Sequence, residues 1–146
     1  GVNAGADAPF VDWRETGETS VFMAHEWDVD AAKRILQVRV QSGRHARAGV
    51  ISVADLSPML QRTTLHEDGR TSISMGVHVD WAMAATDAVD VTVPVVLAWS
   101  RSNGHRSAGM IMMIDGWTRL ARATLLGLTV LPAVCLTKAE SKKTWL

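Results

Sequence analysis

"MIMMIDGWTRLARATLLGLTVLPAV", residues 110–134, decides the fold of this chain. An apolar run ends in an Asp-Gly break, and the period of the sequence then changes. Trp117, Leu120, Ala121, Thr124 and Leu125 recur at i, i+3, i+4, i+7 and i+8, the spacing of one buried helical face, while Arg119, Arg122 and Leu126 fall on another. Gly127 stands just past the last periodic residue, where a helix needs a left-handed stop. The flanking runs "MIMMI" and "TVLPAVCL" predict strands, so the stretch reads as strand, helix, strand.

Working outward, "VTVPVVLAW" is β-branched and apolar and predicts a strand with Pro94 near its start. The polar segment "SRSNGHRSAG" then makes it one half of a hairpin with "MIMMI". "AAKRILQVRVQ" predicts a short helix running into a strand, because "QVRVQ" alternates with period two. "SGRHARAG" reads as a basic loop. "VISVADLSPML" predicts a short strand and then a turn in which Ser57-Pro58 opens a helix. "HEDGR" predicts a turn, and "DWAMAATDAV" a helix capped by Asp80. "KAESKKTWL" is a basic helix or the start of a tail. These elements predict a mixed α+β fold: a flexible tail over residues 1–10, then a single compact domain over 11–146 with a mixed β-sheet flanked by helices.

The chain has 146 residues, 47% of them apolar, which suits one packed core and excludes a disordered chain. Its longest apolar runs fall well short of the roughly 18 residues that span a bilayer. No basic-then-apolar segment opens it, so a cytoplasmic protein without membrane insertion is expected. The single cysteine, Cys135, sits in an alternating apolar run and reads as a small core residue. Net charge is zero but unevenly spread. Residues 1–30 hold seven acids and one base, and residues 31–54 hold Lys33, Arg34, Arg39, Arg44 and Arg47 with no acid. Residues 55–90 are acidic again, and residues 91–146 hold seven bases against two acids. Two basic segments of this kind make either a solvated mosaic or a positive face for a phosphate-bearing partner.

The Asp115–Arg119 turn carries the chemistry. Gly116 lacks a side chain, which lets a ligand approach the backbone. The free amides of a first helical turn form a ready anion site, and Arg119 adds a permanently charged fork. Arginine there opposes the helix dipole, which an anion would relieve. Asp115 either caps the helix or holds a divalent cation beside a phosphate. Trp117 either joins the core or stacks on a base. The pairs His78/Asp80 and His66/Glu67/Asp68 read either as metal ligands or as surface and capping residues.

"MMIDGWTRLARATLLGLTVLPAVCL" resembles the most characteristic segment of the ParB/sulfiredoxin superfamily: a strand ending in Ile114-Asp115-Gly116, Arg119 opening a helix, then Ala123, Gly127 and Pro132. The resemblance covers about 25 residues closely and residues 50–137 more loosely. It implies a ParB/sulfiredoxin-like fold. Trp117 and Thr118 stand where sulfiredoxin carries its Cys-His pair, which removes sulfinic-acid reduction. The Glu-Arg pair that accompanies cytidine triphosphate in partition proteins is absent too, so that base selectivity is not implied. In size the chain is similar to standalone members such as the plasmid fertility-inhibition proteins of the Osa type. Those members imply nucleoside triphosphatase and DNA nuclease activity against conjugative transfer.

The resulting expectation is a nucleoside triphosphate-binding and hydrolysing domain, an ATPase or a relative of one, with metal-dependent DNA nuclease activity in plasmid or DNA transfer. Asp115 and Arg119 are the catalytic pair, and Gly116, Trp117, Thr118, Arg119 and Arg122 hold the nucleotide. Asp115 and Asp80 bind Mg²⁺ or Mn²⁺. Arg39, Arg44, Arg47, Arg101, His105 and Arg106 contact DNA without sequence preference, and a conjugation or partition protein is the expected partner. The alternative is a non-catalytic nucleotide- or DNA-binding switch that regulates a protein partner.

Overall fold

The change of period at Trp117 does produce a helix between two strands. The computed structural model describes residues 15–22, 25–42, 48–101 and 109–146; the tail expected over residues 1–10 lies outside them. In chain order the elements are β1 (Thr19–Phe22), β2 (His25–Asp28), α1 (Val29–Gln41), β3 (Ala48–Ser52), α2 (Val53–Leu56), a 3₁₀ turn (Ser57–Met59), β4 (Thr63–Leu65) and β5 (Thr71–Ile73). They continue with α3 (Trp81–Ala84), β6 (Val95–Trp99), β7 (Ile111–Asp115), α4 (Trp117–Leu126), β8 (Val130–Cys135) and α5 (Lys138–Lys142). The architecture is mixed α+β. Among the described residues no helix is long and apolar enough to cross a membrane. The chain divides into two compact units, one formed by residues up to Val50, Thr92–Gly116 and Pro132–Leu146, the other by Ile51–Val91 and Trp117–Leu131.

The first unit is organised around β6. The sheet order is β3-β8-β6-β7; β6 pairs antiparallel with β7 and parallel with β8, in the register Val95↔Ala133, Val96↔Val134 and Leu97↔Cys135. A strand paired on both sides and covered on both faces must be apolar throughout, and Val95, Val96 and Ala98 are fully buried. Helix α1 lays Ala32 and Leu36 on this sheet, against Val96, Ala98, Ile114, Val134 and Leu136, with Trp27 in the same cluster. Each of the larger side chains contributes about 1.5–3 kcal/mol by leaving water. Asp28 starts α1 by accepting the Ala31 amide at 3.0 Å.

The "QVRVQ" segment expected as a strand is the last turn of α1. Val40 lies four residues after Leu36 and packs against the same cluster, while Val38 is exposed. The i, i+4 stripe overrides the two-residue alternation.

In the second unit, β4 and β5 form an antiparallel hairpin around the predicted "HEDGR" turn, with Gly69 in the left-handed region at φ 84°. Asp80 caps α3 as expected, accepting the Met83 amide at 3.0 Å. The helix is only four residues long, however, because Thr86 turns back on it and bonds the Met83 carbonyl through both its amide and its hydroxyl. Helix α4 buries Leu120, Ala121 and Ala123. Leu125, expected on the buried face, is half exposed, since that face turns through Ala123 rather than along the last helical turn. Gly127 ends the helix at φ 70°, with its own amide on the Thr124 carbonyl and the Leu128 amide on the Ala123 carbonyl.

Candidate functional site

The Asp115–Arg119 turn starts where β7 ends. Asp115 is the last residue of that strand and pairs with Val96 across the β-ladder. Helix α4 opens at Trp117, directly after Gly116. Gly116 is buried with φ 116°. A Cβ placed on it would meet Val95 Cγ1 at 2.4 Å and Val95 Cβ at 2.8 Å. The space expected for a ligand is therefore filled by β6, and glycine is required there by strand packing and backbone conformation together.

Trp117, Thr118 and Arg119 are half-buried in the first turn of α4, which contains no acidic residue. Arg122, one turn later, is directed to its own unit: its guanidinium donates to Asp87 Oδ1 at 2.9 Å and reaches the Ala84 carbonyl at 3.5 Å. Its fork thus joins the end of α3 to the exposed Asp87.

The carboxylates and histidines are similarly engaged. Asp80 is the α3 cap. His78 Nδ1 faces Gln61 Oε1 at 3.2 Å, His66 Nε2 faces Ser72 Oγ at 2.8 Å, and Asp68 holds both the amide and the side chain of Arg70. Among the described residues no group of three or more His, Cys, Asp or Glu is placed to hold a metal ion.

The cations expected on DNA divide into three fates. Arg39 is buried, with 4% of its side chain exposed, and forms an ion pair with Glu140 while reaching the Cys135 carbonyl at 3.5 Å. Expected on DNA, it is instead enclosed by its own unit in this structure. Lys33 is also buried, and Arg34 pairs with Glu15 and lies 3.9 Å from Asp28. Arg101 stacks on the Trp145 ring at 5.1 Å. Arg44, Arg47, His105 and Arg106 lie outside the described residues.

Sequence reasoning missed two arrangements in the first unit. One is the Arg39–Glu140 pair, which also serves the C-terminal helix: Glu140 accepts the Thr137 amide at 2.9 Å while Thr137 Oγ1 accepts the Glu140 amide at 3.1 Å. The signal was present in "TKAE", a capping-box spacing. Burial pushes the Glu140 carboxyl up, but the Thr137 amide and the Arg39 charge outweigh it and hold the group below its ordinary value. The other is a cluster of indoles. Trp27 Nε1 and Trp145 Nε1 both donate to the Trp99 carbonyl, at 3.1 and 2.9 Å.

Comparison with known families, with curated proteins and with solved structures returns no match.

Proposed function

We propose that this protein binds the phosphates of a nucleoside triphosphate at the start of α4 and hydrolyses the nucleotide. The observation that supports the reading is local: β7 ends at Asp115, and the ten-residue helix α4 opens two residues later with Arg119 in its first turn. The first amides of a helix and an arginine in its first turn both donate outward to an anion, which is the arrangement a phosphate takes. The resemblance of residues 110–134 to the ParB/sulfiredoxin segment points the same way.

Asp115 would hold Mg²⁺ or Mn²⁺ beside the phosphates. Asp115 is a half-buried carboxylate at the turn, and Mg²⁺ is ordinarily held by one or two carboxylates with substrate phosphates completing its shell. When bound, such an ion would neutralise charge on the phosphoryl oxygens. The chain's own contribution is positional. The first amides of α4 orient the phosphate, and Arg119 donates a charge-assisted fork to its oxygens, more strongly as charge builds during in-line transfer to water. Metal-dependent DNA cleavage belongs to the same proposal as a companion activity, and plasmid nicking that persists undiminished in excess EDTA rejects it.

The deciding experiment measures phosphate release from each nucleoside triphosphate with Mg²⁺, alongside calorimetric binding to the parent and to Arg119→Ala. The variant should lose roughly 1.5–3 kcal/mol of affinity. Equal affinity in both proteins sinks the assignment. Binding without phosphate release moves the turn to the alternative reading, a nucleotide-dependent switch acting on a protein partner.

A further inference from the structure

The C-terminal end of the first unit gathers aromatic rings and cations that the turn at α4 does not use. Helix α5 and the residue after it present Lys138, Lys142 and Lys143, all exposed, while Ser141 and Thr144 are buried. Lys138 and Lys142 are four residues apart and share one side of the helix. Lys138 Nζ lies 4.7 Å from the centre of the Trp99 ring, and the Arg101 guanidinium lies 5.1 Å from the centre of the Trp145 ring while also reaching the Leu146 carbonyl at 3.4 Å. The sole carboxylate side chain between Leu136 and Leu146 is Glu140, and it is turned inward to Arg39. Nothing on this segment's side chains offsets the outward charge.

The two rings are also held in place. Trp145 Nε1 is anchored on the Trp99 carbonyl, and the Trp99 amide donates to Ser141 Oγ at 2.9 Å. The chain end is tied to β2 by the Asp28 amide on the Thr144 carbonyl at 2.7 Å and by the Leu146 amide on the Glu26 carbonyl at 3.0 Å. Trp99 and Trp145 nonetheless stay partly exposed. The cations lie over the rings themselves, Lys138 on Trp99 and Arg101 on Trp145, so a base of a single strand takes a ring face by displacing an exposed cation onto its own phosphate.

We propose that Trp99, Arg101, Lys138, Lys142 and Trp145 form a binding platform for single-stranded nucleic acid, with bases stacked on the two indoles and phosphates against Arg101, Lys138 and Lys142. The platform goes beyond the nucleotide site at α4 and does not depend on it. Duplex DNA offers it phosphates but no free base faces, so a single strand is the preferred occupant.

The test follows fluorescence anisotropy of labelled oligo(dT) over a salt series, with the full chain and with Lys138→Gln/Lys142→Gln. Both lysines are exposed, and an unchanged circular dichroism spectrum confirms that the variant folds. The parent should bind oligo(dT) more tightly than a duplex or polyphosphate of equal charge. The variant should bind more weakly, with the slope of log affinity against log salt shallower by about 1.4, the value for two lost phosphate contacts on a single strand. Arg119→Ala should leave this binding intact, which separates failure here from failure of the nucleotide site. Equal binding by parent and double variant overturns the proposal. So does polyphosphate competing as well as oligo(dT), which shows charge without stacking. Capture by anionic vesicles in the absence of oligo(dT) binding overturns it as well and gives the surface to membranes.

Discussion

Two stretches of this chain are rich in Lys and Arg, and the fold treats them in opposite ways. In α1 two of the three cations, Lys33 and Arg39, are buried, and the exposed Arg34 is paired with Glu15. In α5 the lysines point outward, and the one acid of the helix, Glu140, is drawn inward to Arg39. The same residue types at similar density therefore become structure in one helix and surface in the other. Net charge per segment, the signal that first singled out residues 31–54, measures composition and is blind to direction. What separates the two is packing: α1 must bury one whole side against the sheet, so it encloses the stems of its long cations, whereas α5 is five residues long and anchors itself through Ser141, Thr144 and its capping box.

The contrast is most exposed to failure at Arg39. Replacing it by alanine leaves the Glu140 carboxylate without its charge partner in a largely enclosed place and empties the space of a buried side chain. Such a change should lower unfolding free energy by about 3–5 kcal/mol in urea titration. A loss below about 1 kcal/mol, the range of solvated pairs, would put Arg39 in the same class as the α5 lysines and dissolve the comparison.

The same distinction between inward and outward use runs through the Asp115–Arg119 turn, and it shows what was legible in the sequence. Strand, break, helix and stop over residues 110–134 were readable because each is set by local chemistry: apolar runs, a helical period, and a glycine at each end of the helix. The hairpin turn at Asp68-Gly69 and the Asp80 cap were readable for the same reason. The purpose of Gly116 was not. Its missing side chain faces Val95, twenty-one positions earlier, and only the β6–β7 pairing brings them together. The partners of Arg39 and Arg122 were not legible either, since Glu140 and Asp87 are distant in sequence. Gly116→Ala should accordingly cost roughly 2–4 kcal/mol, combining overpacking with an unfavourable backbone. A second change, Val95→Ala, should restore part of that loss in a double-mutant cycle. If Gly116→Ala folds with parental stability, the glycine is open to a ligand after all.

Acid titration sharpens the account of Glu140. Its carboxyl is held below the ordinary 4.5 in the folded chain, so the unfolded chain takes up a proton first. The stabilisation is complete above that ordinary value and disappears as pH falls through the lower folded one. This single group should give a slope of at most about 1.4 kcal/mol per pH unit across that acid window. Denaturant midpoints measured from neutral pH downward should show it in the parent, and Glu140→Gln should flatten that part of the profile. A variant as acid-sensitive as the parent would move the effect to other carboxylates.

The smallest expected change is at the outward lysines, and its smallness is the point. Lys138 lies over an indole that is partly exposed, where a cation–π contact contributes about 0.5–1 kcal/mol. Lys142 is exposed on the same side of α5, so its replacement should fall within about 0.5 kcal/mol. Lys138→Ala and Lys142→Ala together should therefore lower stability by less than about 1.5 kcal/mol, with most of the loss from position 138. The two sites share a helix face, so each single variant has to be measured beside the double for the sum to mean anything. A loss as large as that of Arg39→Ala would show that the α5 cations hold the chain end in place, and the outward surface would then be structure rather than a place to bind.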